Sequence, residues 1–136
     1  MKTVFVDANV FLRYLTDDDP EKADRVEALL DRAAGGELRL LTTELVLAEV
    51  VWVLESGYDL KNHQIAPMIR AILASPGIEV INGKLVERGL DFYHGRNVDF
   101  IDGYIAAVME KRNVREIFSF DRKHMKKIGT VTRMEP

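Results

Sequence analysis

Two aspartates stand three residues apart at the start of an apolar stretch, Asp99-Phe-Ile-Asp102-Gly-Tyr-Ile-Ala-Ala. This spacing puts both carboxylates on the first turn of a predicted helix, with Asp99 as a possible N-cap and Asp102 at the N3 position. Capping alone would account for such a pair. A shared functional site is the other explanation, because further acids occur where the chain changes direction. Asp7 closes an apolar run, and Asp121 follows another.

Glu49 is the fifth acid of interest because of the residues around it. It lies within a helix predicted from about Glu44 to Glu55, in which the stretch Leu45–Leu54 is otherwise apolar. That composition predicts a helix buried nearly all round. A buried carboxylate is unfavourable unless it is paired, protonated or bound to a metal. Glu49 is therefore expected either to form a salt bridge with an arginine or to bind a metal ion.

Carboxylates that meet at one place repel one another, so their pKa values rise or they bind a hard divalent cation. The chain has no cysteine, and its three histidines show no metal-ligand spacing. Oxygen ligands favour Mg²⁺ or Mn²⁺ over Zn²⁺. A cation in such a site activates water and stabilises the leaving oxygen of a phosphate ester. The acids thus predict phosphodiester hydrolysis by metal-activated water.

The remaining polar groups are given structural interpretations. No side chain is identified as a dedicated general base, and His63, His94 and His124 are expected on the surface or in loops. Contact with a nucleic-acid backbone is the second interpretation of His124. The run Asp17-Asp-Asp-Pro20 predicts a turn followed by a helix start, with aspartates as caps and Pro20 at the first helical position, rather than a metal cluster.

Length and composition predict one soluble domain spanning residues 1–136. The absence of cysteine suits the reducing cytoplasm and excludes disulfide frameworks, thiolate zinc sites and a cysteine nucleophile. The longest apolar stretch is interrupted by Glu49 and is too short to span a bilayer. We therefore expect a cytoplasmic protein that does not bind membranes.

Charge is segregated along the chain, although the net charge is only −3. Residues 111–136 carry 8 basic and 3 acidic side chains, whereas residues 1–110 are strongly acidic. A basic segment beside an acidic site can hold a phosphate backbone while the acids hold metal. The alternative is a solvated face of a last helix. The candidate residues for binding such a backbone are Arg122, Lys123, Lys126 and Lys127.

The elements that must position these acids alternate between strands and helices. Strands are predicted at 3–6, 38–41, 78–81 and 116–120, with a short edge strand within 129–134. Helices are predicted at 8–15, 20–34, 44–55, 61–75, 84–93 and 122–127, with another that begins at 99–102. This alternation predicts an α/β fold, a three-layer α/β/α arrangement with a four- to five-stranded, mainly parallel sheet.

The first strand, Thr3-Val-Phe-Val6, is continuously apolar and is predicted to lie in the centre of the sheet with both faces covered. Functional residues of such folds gather outside the carboxyl ends of the strands. Asp7 and Asp121 are expected there, and a helix start such as 99–102 opens at the same edge. The predicted fold would therefore bring the acids together.

Four motifs together resemble those of the PIN-domain ribonucleases, specifically the VapC-type toxins of bacterial and archaeal toxin–antitoxin pairs. They occur in family order across essentially the whole chain. The motifs are Val-Asp7-Ala-Asn9-Val-Phe-Leu-Arg, Leu-Ala-Glu49-Val-Val-Trp, Asp99-Phe-Ile-Asp102-Gly-Tyr-Ile-Ala-Ala and Ser119-Phe-Asp121-Arg-Lys.

The resemblance implies an α/β/α sandwich with a Mg²⁺- or Mn²⁺-dependent endoribonuclease site. Asp7, Glu49 and Asp102 would be the principal carboxylates and Asp121 a fourth, while Asp99 would either reach the metal or only cap its helix.

The same resemblance implies that Asn9 and Ser119 support the ligands, although Asn9 would equally suit a helix cap. It also implies a VapB-type antitoxin as partner and a homodimer. Gly103 departs from the family, which usually has a better helix former there, and is expected to weaken the first turn by ~1 kcal/mol.

Two other classes of protein compete with this interpretation. A receiver domain or aspartyl-phosphate enzyme also places an aspartate after a strand, but a dehalogenase-like site needs a second aspartate where this chain has Asn9. Such a protein would leave Glu49 unexplained. The other alternative is a catalytically silent PIN-like module that binds RNA or antitoxin; the intact acids argue against it.

Overall fold

The computed structural model describes all residues from 1 to 136. They form two compact units, Met1–Gly83 and Lys84–Pro136. The elements of the first unit are β1 (Lys2–Phe5), α1 (Ala8–Leu15), α2 (Pro20–Ala34), β2 (Leu38–Thr43), α3 (Glu44–Gly57), α4 (Asn62–Ala74) and β3 (Ile78–Ile81). Those of the second are α5 (Gly83–Gly95), α6 (Phe100–Lys111), β4 (Glu116–Phe118), α7 (Arg122–Lys127) and β5 (Thr132–Met134).

The first unit contains a three-stranded parallel sheet in the order β1-β2-β3. Lys2 lies opposite Leu38, and Leu40 lies opposite Ile78. Along β2 the residues alternate between buried and more exposed, and Leu40 and Thr42 are fully buried. This period of two shows that the two faces of β2 differ in burial. β2 is the middle strand because it pairs with both β1 and β3.

The prediction that the first strand is central and covered on both faces is wrong. β1 lies at an edge of its sheet, and all four of its residues are exposed, with 53% of Phe5 accessible to solvent. A continuous apolar run indicates a strand but does not say how many neighbours the strand has. Val6, which follows β1, is buried and donates its N–H to Leu41 O at 2.8 Å.

The prediction that α3 is buried nearly all round is also wrong. One side of the helix is buried through Leu47, Val50, Val51 and Leu54. Leu45, Glu49 and Trp52 occur at the i, i+4 and i+7 positions of the opposite side and are all exposed. Glu49 therefore needs neither a salt bridge nor a metal to offset burial.

The second unit pairs β4 with β5 in parallel, with Glu116 opposite Thr132. Its core contains Phe92, Val98, Ala106, Met125 and Ile128, against which Ile117 and Val131 pack. Helices and parallel strands make up both units, so the α/β prediction is confirmed. The five parallel strands are hydrogen-bonded in groups of three and two. No helix combines the length and apolar composition needed to cross a membrane.

Gly103 allows α6 to approach α5 closely. A Cβ atom added at this position would lie 2.7 Å from Gly89 O and 3.3 Å from Phe92 Cβ. At Gly89, an added Cβ would lie 3.1 Å from Tyr104 Cα. The weak helix former at position 103 is therefore explained by packing, because a side chain there would separate the two helices.

Two of the aspartates at 17–19, Asp18 and Asp19, have structural roles, as predicted. Asp19 is the N-cap of α2 and accepts a hydrogen bond from Lys22 N at 3.1 Å. Asp18 accepts hydrogen bonds from the Tyr58 hydroxyl and from Thr16 Oγ1, the latter at 2.9 Å, and Arg13 lies 3.3 Å away. The hydrogen bonds from Tyr58 and Thr16, with the charge of Arg13, lower the pKa of Asp18 below its usual 3.8.

Replacement of Gly103 by alanine is expected to destabilise the protein. Overpacking typically costs ~1–3 kcal/mol, more than the ~1 kcal/mol of helix propensity that alanine adds. Denaturant unfolding would measure the change. Gly95→Ala is the control, because no atom lies within 4 Å of its added Cβ. A Gly103→Ala protein at least as stable as the wild type would contradict this account of the contact.

Tyr58→Phe is expected to lower the thermal midpoint at pH 7 and to have less effect in acid. Because the folded-state pKa of Asp18 is lowered, its contribution is complete above the unfolded pKa and is lost as the pH falls through the folded value. Melting curves from neutral pH down to about pH 3 would follow this loss. Tyr14→Phe, at an exposed tyrosine of α1, should show no such dependence. A Tyr58→Phe effect that is equally large at all pH values would exclude Asp18 as its origin.

Candidate functional site

Three carboxylates of the second unit meet around the imidazole of His124. Its Nδ1 atom lies 3.3 Å from Asp121 Oδ2, 3.5 Å from Asp102 Oδ2 and 4.0 Å from Asp99 Oδ2. We call these four residues the acidic cluster. Three predicted site residues are thus close in space, and they share one histidine.

The short helix α7 fixes two members of the acidic cluster. Asp121 is its N-cap and accepts the His124 N–H on Oδ1 at 3.0 Å, which leaves Oδ2 beside the imidazole. Ser119 Oγ accepts the Asp121 N–H at 3.0 Å. The backbone around Asp121 is therefore held on both sides, and the i, i+3 spacing places His124 next to its carboxylate.

The other two members stand on the first turn of α6, where capping was the simplest explanation for them. Asp99 occupies the N-cap position, but its side chain accepts no capping hydrogen bond. Its backbone carbonyl accepts the Gly103 N–H at 2.9 Å. Asp99 therefore does not act as a side-chain cap. The Asp102 side chain is 17% exposed and faces His124.

The acidic cluster shifts the pKa values of two of its carboxyls in opposite directions. Burial raises the pKa of Asp102, and the charges of Asp121 and Asp99 raise it further, while His124 opposes the shift. The pKa of Asp121 is lowered, chiefly by the hydrogen bond from the His124 backbone N–H and then by the His124 side chain. Asp121 is therefore more readily ionised than Asp102. A nearby cation would favour the charged form of Asp102 and so lower its raised pKa.

The chemistry and spacing of these donors suit a metal ion. One ligand atom each from Asp99, Asp102 and His124 can be chosen so that all three lie within 4.8 Å of one another. Carboxylate oxygens are preferred by Mg²⁺ and Mn²⁺, and an imidazole nitrogen is a common ligand of transition metals. The raised pKa of Asp102 adds an electrostatic reason, since a cation would offset the repulsion among the acids.

The first unit holds the other predicted site residues, Asp7, Asn9 and Glu49, all of them exposed. Asp7 is the N-cap of α1 and accepts the Ala8 N–H at 2.7 Å. Thr42, buried on β2, donates its hydroxyl to Val6 O at 3.0 Å and so fixes the chain just before Asp7. Their roles as metal ligands or supports remain predictions.

The four predicted RNA-binding residues form most of α7. Arg122, Lys123 and Lys126 are exposed. Arg122 pairs with Glu135 at 2.8 Å, and Lys127 Nζ donates to Asn97 O at 3.3 Å. The basic side chains therefore belong to the same six-residue helix as His124.

His124 was predicted to lie on the surface or in a loop; it is partly exposed and lies on α7, beside carboxylates that the prediction did not include. Its side chain is 27% exposed and contacts three carboxylates. Its i, i+3 spacing from Asp121 at a helix start is a signal that the sequence did contain. The lysines and arginines around His124 favoured contact with a nucleic-acid backbone as the interpretation instead.

Comparison with known proteins identifies both a family and a relative. The PIN-domain family matches residues 4–130 of this chain. A VapC ribonuclease from Aquifex aeolicus (strain VF5) is 26% identical over 127 residues, which cover 93% of this chain and 93% of that protein. The matched region includes every member of the acidic cluster together with Asp7 and Glu49.

Asp102→Asn is expected to keep or raise the thermal midpoint at pH 7 in buffer containing EDTA. The raised pKa means that the charged carboxylate is disfavoured in the folded state, so its neutral isostere removes a cost. The gain should shrink as the pH falls towards the usual value of 3.8, where Asp102 takes up its proton.

The control for this substitution is Asp24→Asn, which removes an exposed aspartate of α2 and should change the midpoint little. A large loss of stability in Asp102→Asn alone would show that the carboxylate holds the fold together. The electrostatic description of the acidic cluster would then be wrong.

Proposed function

Because this chain belongs to the PIN-domain family, we propose that it is an endoribonuclease and the toxin of a type II toxin–antitoxin pair. Under this proposal it hydrolyses RNA phosphodiester bonds with Mg²⁺ or Mn²⁺ as cofactor. The observation that carries the proposal is the meeting of Asp99, Asp102 and Asp121 around His124. The relative named as a VapC ribonuclease, matched along nearly the whole chain, supports it.

The proposed metal ligands come from the acidic cluster and from two further motifs. Asp99, Asp102 and His124 offer atoms close enough to share one ion, and Asp121 adjoins them. The motifs that contain Asp7 and Glu49 add these two carboxylates. When bound, the cation would polarise the scissile phosphate and stabilise the departing oxygen. Asn9 and Ser119 are proposed to support these ligands.

The residues of the chain itself have separable tasks in the proposed reaction. Asp121, with its lowered pKa, stays ionised at neutral pH and orients the His124 ring. His124, whose Nδ1 lies between carboxylate oxygens, would serve as a ligand of the cation rather than as a carrier of the proton. Arg122, Lys123, Lys126 and Lys127 on α7 can bind phosphates on either side of the cleaved bond.

The proposal extends to partners and place of action. The cognate partner would be a VapB-type antitoxin, and the toxin itself would be a homodimer. The whole chain, residues 1–136, would act as a single PIN-like domain. Its site of action would be the cytoplasm, where RNA is present, with no role for a membrane.

Gel-resolved cleavage of total cellular RNA by antitoxin-free protein tests the proposal. Discrete products are expected with Mg²⁺ or Mn²⁺ and none with EDTA, because the acids need a cation to act together on a phosphate. Asp102→Asn is expected to abolish cleavage while remaining folded. Asp24→Asn should cleave as the wild type does, since its carboxylate is an exposed group on α2.

Two results would contradict the proposal. Cleavage that persists in EDTA and in Asp102→Asn would assign the activity to a contaminating nuclease. RNA binding without any products, from folded protein supplied with metal, would favour the catalytically silent PIN-like module instead.

A further inference from the structure

A groove of about 510 Å³ between α1 and α2 of the first unit is lined by four cationic side chains. They are Arg13, Lys22, Arg25 and Arg32. Val10, Val26 and Leu29 supply its apolar lining, and no aromatic or acidic side chain lines it. The protein carries a net charge of −3, so four cations in one groove are a marked local concentration of positive charge.

The charges on α2 are separated around the helix. One stripe of the helix lies along the groove and has the spacing i, i+3, i+7 and i+10. It consists of Lys22, Arg25, Leu29 and Arg32. The stripe is about 15 Å long at 1.5 Å per residue. Asp24, Glu27 and Asp31 form a second stripe, and none of them lines the groove. The helix thus presents an extended row of cations to a ligand.

The cations of the groove are available to such a ligand. Arg13 pairs with Asp18, Lys22 with Asp19 and Arg32 with Glu37, all through side chains that are at least one-third exposed. Exposed pairs of this kind contribute little and yield readily to a stronger anion. Arg25 is exposed and takes part in no such pair.

We propose that this groove binds the phosphate backbone of the RNA substrate, an inference that rests on the proposed function. Three of the four cations are arginines, whose planar forks match phosphate oxygens. Without an aromatic lining the groove has no surface on which bases stack, so it contacts the backbone whatever the sequence. Asn9 lines the groove two residues after Asp7, so the groove begins on the helix that Asp7 caps.

An acidic protein segment is the other ligand that such charges could attract. Two features favour RNA. The row of cations matches a series of phosphates, and the groove begins on the helix capped by Asp7, a residue of a predicted nuclease motif. The two ligands are separated by the experiment.

Fluorescence anisotropy with a labelled single-stranded oligouridine of about 20 nucleotides tests the proposal, over about 50 to 200 mM NaCl. Every protein carries Asp102→Asn to prevent cleavage. Arg25→Gln/Arg32→Gln removes one unpaired and one ion-paired arginine of the groove. Lys84→Gln/Arg39→Gln is its matched control outside the groove and outside residues 111–136, since Lys84 is likewise exposed and Arg39 pairs with Glu79 at 2.9 Å.

The groove variant is expected to bind RNA about tenfold more weakly at the lower salt concentration, with the slope of log K against log salt reduced by about 1.4. The control should retain the parental affinity and slope. Equal binding by the two double variants would overturn the inference and leave the proposed function intact. Failure of every protein to bind RNA would count against both.

A fluorescent polyglutamate peptide provides the arm that separates the ligands. If the groove arginines strengthen binding of this peptide but not of RNA, the groove recognises an acidic protein segment and the inference is wrong. If RNA binding alone depends on them, the assignment to substrate stands.

Discussion

Repulsion among carboxylates held in fixed positions is the constraint on which the candidate site depends. Two elements impose it: α6 carries Asp99 and Asp102 on its first turn, and the cap of α7 holds Asp121 and His124. Because backbone hydrogen bonds position Asp121, the cluster cannot relax by turning that side chain away. The raised pKa of Asp102 and the lowered pKa of Asp121 are two results of one arrangement, and both make a cation a fitting partner.

Much of the local structure could be predicted because the chain marks its own boundaries. Asp19 and Pro20 start α2, Gly35 and Gly36 follow its end, and the observed helix coincides with the predicted range 20–34. The prediction of 78–81 as a strand and of 122–127 as a helix agrees equally well. Capping groups, prolines and glycines act on neighbouring residues, so their effects can be derived without knowledge of the rest of the fold.

The wrong predictions concern burial, strand position and side-chain contacts, which depend on residues that are distant in the sequence. An apolar composition around Glu49 could not reveal which face of α3 is covered, and the exposed face proved to be the one that carries Glu49. The same limitation placed β1 in the centre of its sheet, where the structure has β2. His124 was underestimated for a related reason, because two of its three carboxylate neighbours belong to a helix far away in sequence. Asp99 and Asp102, by contrast, were predicted as site residues from their spacing and the motif around them, and both lie beside His124.

The contact between Gly89 and Gly103 has a consequence for how this sequence can vary. An added methyl group at either position would meet backbone atoms of the opposite helix rather than a side chain that could rotate aside. Gly103 directly follows Asp102, so any separation of α5 from α6 would displace the turn that bears the acids. The position of the carboxylates thus depends partly on the absence of a Cβ atom at Gly89 and Gly103. Variation at these glycines should be limited by the geometry of the acids, even though neither glycine offers a group to bind a metal or a nucleic acid.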